Sequence, residues 1–224
     1  MNKVFESIIR CPNVALVLKS GDARNPRIRV ISSQRAKDFA SFQMPEPWSG
    51  NLETAPLLFL SSNPSISDSE EYPSSSNDDA KIEDFFVNRF GGGRKQWILN
   101  GTRCLQSDQS YGRPVQHWIE VRSRASELFG REAVPGIDYA LSEVVHCKSK
   151  KKEGVSEALE ECTVRYLRST LSVAAAKIIV ALGREAQSAI SRLYGLPTDR
   201  VLSGPLEIER KGRYVVLLAA PGSN

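Results

Sequence analysis

The chain has 224 residues, 41% of them hydrophobic and 25% charged, with a formal net charge of +4 at pH 7. That length suffices for one domain with a sizeable core, and the composition is that of a globular protein, which excludes a low-complexity or disordered chain. No apolar stretch approaches the roughly 20 residues needed to span a bilayer, and the N-terminus MNKVFESIIRCPNVALVLKSG lacks a long apolar core with a small-residue cleavage site, so no membrane partner and a cytoplasmic location are expected.

In chain order, residues 4–9 predict a short helix, while 14–19 and 27–32 read as a hairpin about the turn 21–26. MPEPWSG at 44–50 is a Pro-rich aromatic connector, and residues 1–50 as a whole are expected to cap a core domain at 51–224. The apolar run at 57–60 is too short for a buried helix and suits a buried parallel strand. A Ser/Asp-rich loop at 65–80 leads to the amphipathic segment KIEDFFVNRF, which Gly91, Gly92 and Gly93 stop. Residues 94–113 show no clear period. Helices follow at 115–128, with Trp118, Val121, Ala125 and Leu128 on one face, at 155–171 and at 183–194. Further apolar strands are expected at 138–145, 177–182 and 213–219. Four such strands separated by helices predict an α/β fold with a central four-stranded parallel sheet covered on both faces, in three α/β/α layers.

Chemistry concentrates where the first strand ends. Pro64 cannot continue a ladder, so Asn63 stands at the strand's carboxyl end, where ligands of open α/β sheets bind. Its amide is neutral and offers one acceptor and two donors, which suits the holding of a water or a base edge; an Asx-type turn is the plainer reading. Acidic residues crowd into 68–71 and 78–84, and Lys148, Lys150, Lys151 and Lys152 form a basic run, which reads either as a solvated loop or as phosphate contacts. The four cysteines, Cys11, Cys104, Cys147 and Cys162, include no CxxC pair and read as buried free thiols rather than metal ligands. Neither GxGxxG nor GxxxxGKS occurs, which weighs against a generic nucleotide-binding module.

Taken together, PEPWSG followed by LLFLSSNPS, the block ALSEVVHCKSKKKEGVSEALEECTVRYLRSTLSVAAAKIIVALGREA, and the terminal LLAAPGSN resemble the uracil-DNA glycosylase superfamily over roughly residues 45–224. The resemblance implies that fold, DNA as partner, a monomer, and hydrolysis of the N-glycosidic bond of a flipped base without a metal, leaving an abasic site. It assigns Asn63 to positioning the attacking water, with Ser62, Pro64 and the Ser65 backbone N–H beside the base, Tyr72 as a stacking platform, Lys148 and Lys150 on the DNA, and Gly222, Ser223 and Asn224 in the loop that enters it. No lysine matches a Schiff-base position, so no lyase step is expected.

Three positions depart from the family pattern. Ser61 replaces a Gly ahead of the Asn-Pro pair. Glu143 replaces the Asn that reads the uracil edge; an ionised carboxylate only accepts, which favours the N4 amino group of a cytosine-type base over uracil O4. Ala220 replaces the second-motif His, for which His146 is the candidate substitute. Superfamily members of anti-phage defence remove glucosylated hydroxymethylcytosine, and the altered pocket fits such a substrate by analogy; uracil excision in base-excision repair and a non-catalytic modified-DNA-binding protein are the alternatives. The Cys147–Cys162 spacing is also similar to that of the superfamily's iron–sulfur branch, with Cys11 and Cys104 completing a set of four; the expectation is nevertheless that no cofactor is held.

Overall fold

The computed structural model describes residues 2–21, 24–36 and 38–220. Helix α1 (Lys3–Ile9) starts at Asn2, whose side chain accepts from the Val4 N–H. Helices α2 (Pro12–Ser20) and α3 (Ile28–Ser32) occupy the segments expected to form a hairpin. The correction has a local cause. Pro12 presets the first helical φ, Gly21 closes α2 in the left-handed region at φ 60°, and Val14 and Val17 are buried three residues apart, a helical rather than an alternating pattern. Val30 and Ile31, buried next to each other in α3, also break the alternation a strand requires.

Strand β1 (Leu57–Ser61) is followed by α4 (Asp79–Val87), capped by the Asp78 side chain, and by a small antiparallel pair, β2 (Ile98–Leu99) and β3 (Arg103–Cys104), in the segment without a sequence period. Next come α5 (Gln116–Phe129) and β4 (Tyr139–Glu143). A 3-10 turn at Lys150–Lys152 precedes α6 (Val155–Cys162), which runs through a π turn (Thr163–Leu167) into α7 (Arg168–Val173). The chain then forms β5 (Ile178–Leu182), α8 (Gly183–Tyr194), β6 (Leu202–Ile208) and β7 (Lys211–Leu218).

The main sheet has five strands in the order β4-β1-β5-β7-β6. The four expected strands are parallel, and β6 adds an antiparallel edge paired to β7. Sequence reading missed β6 because Gly204 and Pro205 interrupt it; the register shifts between Ser203 and Leu206, and a proline is tolerated only at such an edge. Alternate residues feed opposite faces: Leu58, Leu60, Ile179 and Ala181 join one core with α1, α6, α7 and α8, while Leu57, Phe59, Val180 and Leu182 meet Val121 and Ala125 of α5 on the other. This is an α/β architecture consistent with three layers. Phe5, Ile8, Val14 and Trp48 from the first fifty residues belong to the same core as the sheet. Among the described residues, no helix is long and apolar enough to cross a membrane.

Turns at the carboxyl edge of the sheet are tight. Gly183 passes directly from β5 into α8 at φ +80°, and a Cβ there would lie 3.0 Å from that of Ala220; a side chain would be strained in backbone and crowded in space.

Candidate active site

Beyond the carboxyl ends of β1 and β4, the two chain segments continue side by side. Val144 N–H donates to Ser61 O (3.0 Å), Val145 N–H to Ser62 O (2.9 Å) and Ser149 N–H to Pro64 O (3.1 Å). These bonds hold the wall of a cavity of about 580 Å³ whose lining includes Asn63, Glu143, Trp118, His117 and Ala220, a size ordinary for small-molecule sites.

Asn63 is oriented by its own amide. Nδ2 donates to Pro64 O and to Ser149 Oγ, both at 2.9 Å, so both amide hydrogens are used. Oδ1 receives only a 3.3 Å contact from Ser62 Oγ and keeps acceptor capacity at the cavity wall. Ser62 and Pro64 are buried and Ser65 is exposed, and all three line the same cavity.

Below them lies a buried ionic cluster. Arg89 donates from Nη1 to Glu46 Oε1 (2.5 Å) and Ser49 Oγ (2.9 Å) and from Nη2 to Glu70 Oε1 (2.5 Å), while Lys148 Nζ reaches Glu70 Oε2 at 3.3 Å. Burial pushes the Glu70 carboxyl up, but Lys148 and then Arg89 outweigh it and hold the group below its ordinary value. Glu143 shares this environment under different terms. Its side chain is buried on the cavity lining, and Oε2 has no hydrogen-bond partner among the described residues. Burial, reinforced by Glu46, drives its carboxyl well above the usual range despite Arg89 and Lys148. Burial therefore favours the protonated form of Glu143, a donor as well as an acceptor, over the ionised acceptor that the sequence suggested.

Other assignments move. His146 lies behind the cavity, not on its lining. Its Nδ1 is 2.7 Å from the Glu46 carbonyl, so Nδ1–H donates, and its ring meets Tyr166 edge-on at 5.5 Å. It cannot replace a second-motif histidine. Tyr72 is not a stacking platform: its hydroxyl donates to Met44 O (3.1 Å), its ring packs on Phe85 and Phe86, and Lys148 Nζ sits 3.7 Å from its centroid. Lys148 is correspondingly buried among these groups and cannot meet a phosphate backbone outside. Lys150 is exposed and pairs with Asp68 at 3.1 Å. Gly222, Ser223 and Asn224 lie outside the described residues.

Sequence reasoning missed Glu46, Glu70, Arg89, His117, Arg113 and the cavity role of Trp118, all of which line the cavity. Burial pulls the His117 imidazole below its ordinary value, and Arg89 lies 5.4 Å from the Trp118 ring centroid. The one available signal was Glu46 itself, an acid between two prolines in an otherwise apolar connector.

Burial lowers the His146 imidazole to about 4. The unfolded chain therefore takes up this proton first on acidification, so the contribution is complete above pH 6.5 and is lost as pH falls towards 4. The loss amounts to about 3 kcal/mol. His146→Asn retains a donor for the Glu46 carbonyl without titrating; urea unfolding from pH 7.5 to 4 is expected to show a shallower loss of stability in the variant than in the parent.

Among the described residues, the four cysteines do not converge on one site. Cys11, Cys147 and Cys162 neighbour one another, but the buried Arg27 guanidinium lies among them, donating to Cys11 Sγ at 2.8 Å and pairing with Glu161 at 3.3 Å. Cys104 is set apart beside Glu70 and Arg89, its thiol pushed up to about 12 chiefly by burial. Among the described residues, no group of three or more His, Cys, Asp or Glu is placed to hold a metal ion.

Compared with known proteins, the chain matches no family model and no curated protein.

Proposed function

We propose that the protein is a monofunctional DNA glycosylase of the uracil-DNA glycosylase type, hydrolysing the N-glycosidic bond of a flipped, modified cytosine-type base such as glucosylated hydroxymethylcytosine. The observation that carries the reading is the pairing, on one cavity lining, of an amide with a spare carbonyl acceptor (Asn63) and a buried carboxyl with an unpartnered oxygen (Glu143). A base inside a duplex is out of reach, so its nucleotide must be extruded into such a pocket. Asn63 Oδ1 then accepts from a water aimed at C1′ as the sugar becomes oxocarbenium-like. Cytosine presents an N4 donor beside an N3 acceptor, and the Glu143 acid matches both, its carbonyl accepting and its hydroxyl donating. The same acid also fits uracil, its hydroxyl donating to O4 and its carbonyl accepting from N3–H, so the preference for a modified cytosine rests on the polar lining that meets its sugar. Ser67, Ser69 and Gln106 supply polar groups on the same lining for the hydroxyls of a sugar carried on the base. Arg113, Lys151 and Lys152 line the mouth as exposed cations, and take over the phosphate contacts that buried Lys148 cannot make.

The test is a set of duplexes bearing cytosine, uracil, hydroxymethylcytosine or its glucosylated form, treated with alkali after incubation to cut abasic sites. Cleavage confined to the modified cytosine is expected. Cleavage only at uracil establishes the repair alternative, and tight binding with no cleavage establishes a non-catalytic modified-DNA-binding protein.

A further inference from the structure

We propose, resting on the glycosylase reading, that Glu143 is the general acid of this site, delivering a proton to N3 of the base as the glycosidic bond breaks. Base departure leaves negative charge on the ring, and a fixed donor is needed where that charge develops. The Ala220 side chain carries no donor, and His146 is bonded away behind the cavity. His117 lines the cavity, but burial disfavours its imidazolium, and a neutral imidazole yields its N–H proton far less readily than a carboxylic acid does.

The charge balance of the buried cluster supplies the acid. Two cations, Arg89 and Lys148, are matched by two carboxylates, Glu46 and Glu70, through direct contacts. Glu143 is a third carboxyl in the same enclosure, facing Glu46 from the connector, Arg89 beyond α4, Lys148 beyond β4 and Tyr72 from the loop after β1. Its Oε2 is not spent on any partner among the described residues. A third negative charge there would be uncompensated and desolvated, so the proton stays on until a base takes it.

The step balances without another reactant. The C1′–N1 bond breaks and its electron pair enters the base ring; the Glu143 proton moves to N3, and the base leaves neutral. The water held at Asn63 bonds through oxygen to C1′ and loses one proton to solvent. The Glu143 carboxylate, ionised for the interval beside Arg89 and Lys148, regains a proton from solvent. Net change is addition of one water across the glycosidic bond.

Glu143→Gln separates this role from edge recognition, because the amide keeps one acceptor and one donor toward N4 and N3 but transfers no proton. Single-turnover base release is measured across pH 5–10 for both proteins, with DNA affinity measured alongside. The parent is expected to slow as pH rises through the Glu143 ionisation. The Gln variant is expected to bind within about threefold, to release base about 10²–10⁴-fold more slowly, and to lose that alkaline limb. An electron-withdrawing substituent at C5, which makes the base a better leaving group, should recover part of the rate in the variant. Equal rates in the two proteins, or an unchanged alkaline limb in the variant, overturn the general-acid role while leaving the glycosylase reading intact. A parent that releases no base from any duplex overturns both.

Discussion

Replacing Asn63 with alanine is expected to reduce single-turnover base release by about 10²–10³-fold while leaving affinity for substrate duplex within about threefold. The separation follows from how the side chain is held. Both amide hydrogens are committed to Pro64 O and Ser149 Oγ, so the rotamer is set by the protein before any ligand arrives. Only Oδ1 remains to act, and an acceptor at that position matters for a water that must be aligned with C1′. It contributes little to a base whose edge is met elsewhere. Ser149→Ala is a milder probe of the same idea: removing one of the two bonds that fix the amide should slow release without abolishing it. Quench-flow on a duplex with one modified cytosine, paired with fluorescence-anisotropy binding, measures both quantities. An Asn63→Ala protein with parental turnover would remove the amide from the chemistry.

The second large effect concerns the cluster beneath. Arg89→Met should destabilise the fold by about 3–5 kcal/mol, the cost of leaving buried carboxylates without their cation. The guanidinium bridges Glu46 and Glu70 with two short bonds and lies 4.8 Å from the Phe85 ring centroid and 5.4 Å from that of Trp118. Methionine fills much of that volume, so the loss reads out charge rather than a cavity. Combining Arg89→Met with Glu46→Gln and Glu70→Gln should recover a large part of the stability, because uncompensated charge is then absent. Urea unfolding at pH 7 measures each protein. A single-variant loss below about 1 kcal/mol would show that water reaches the cluster.

Much of the sheet was legible because strands buried on both faces are written as continuous apolar runs. LLFL ends one residue before β1 does, and KIIVAL ends where β5 ends. Residues 14–19 and 27–32 misled because valine and isoleucine favour strands by propensity, while Pro12, Gly21 and the buried spacing dictate helices. Strand β6 was invisible for the opposite reason: an exposed edge with Gly and Pro carries no apolar signature.

Asn63 and Glu143 could be singled out from sequence because a strand end fixes their place, and the structure sets both on one cavity. The residues between and behind them could not. Whether Lys148 points to solvent or to Glu70, and whether Tyr72 stacks on a ligand or beneath an ammonium group, is decided by chain segments dozens of residues away. The protonation state of Glu143 is likewise a property of four elements meeting, not of the residue.

The most direct measurement of the central claim is mass spectrometry of the small molecules freed from a duplex containing one glucosylated hydroxymethylcytosine. The free modified base is expected in a one-to-one ratio with abasic sites in the intact strand. A base that stays in the DNA, or that leaves as a nucleoside or nucleotide, would contradict hydrolysis at C1′.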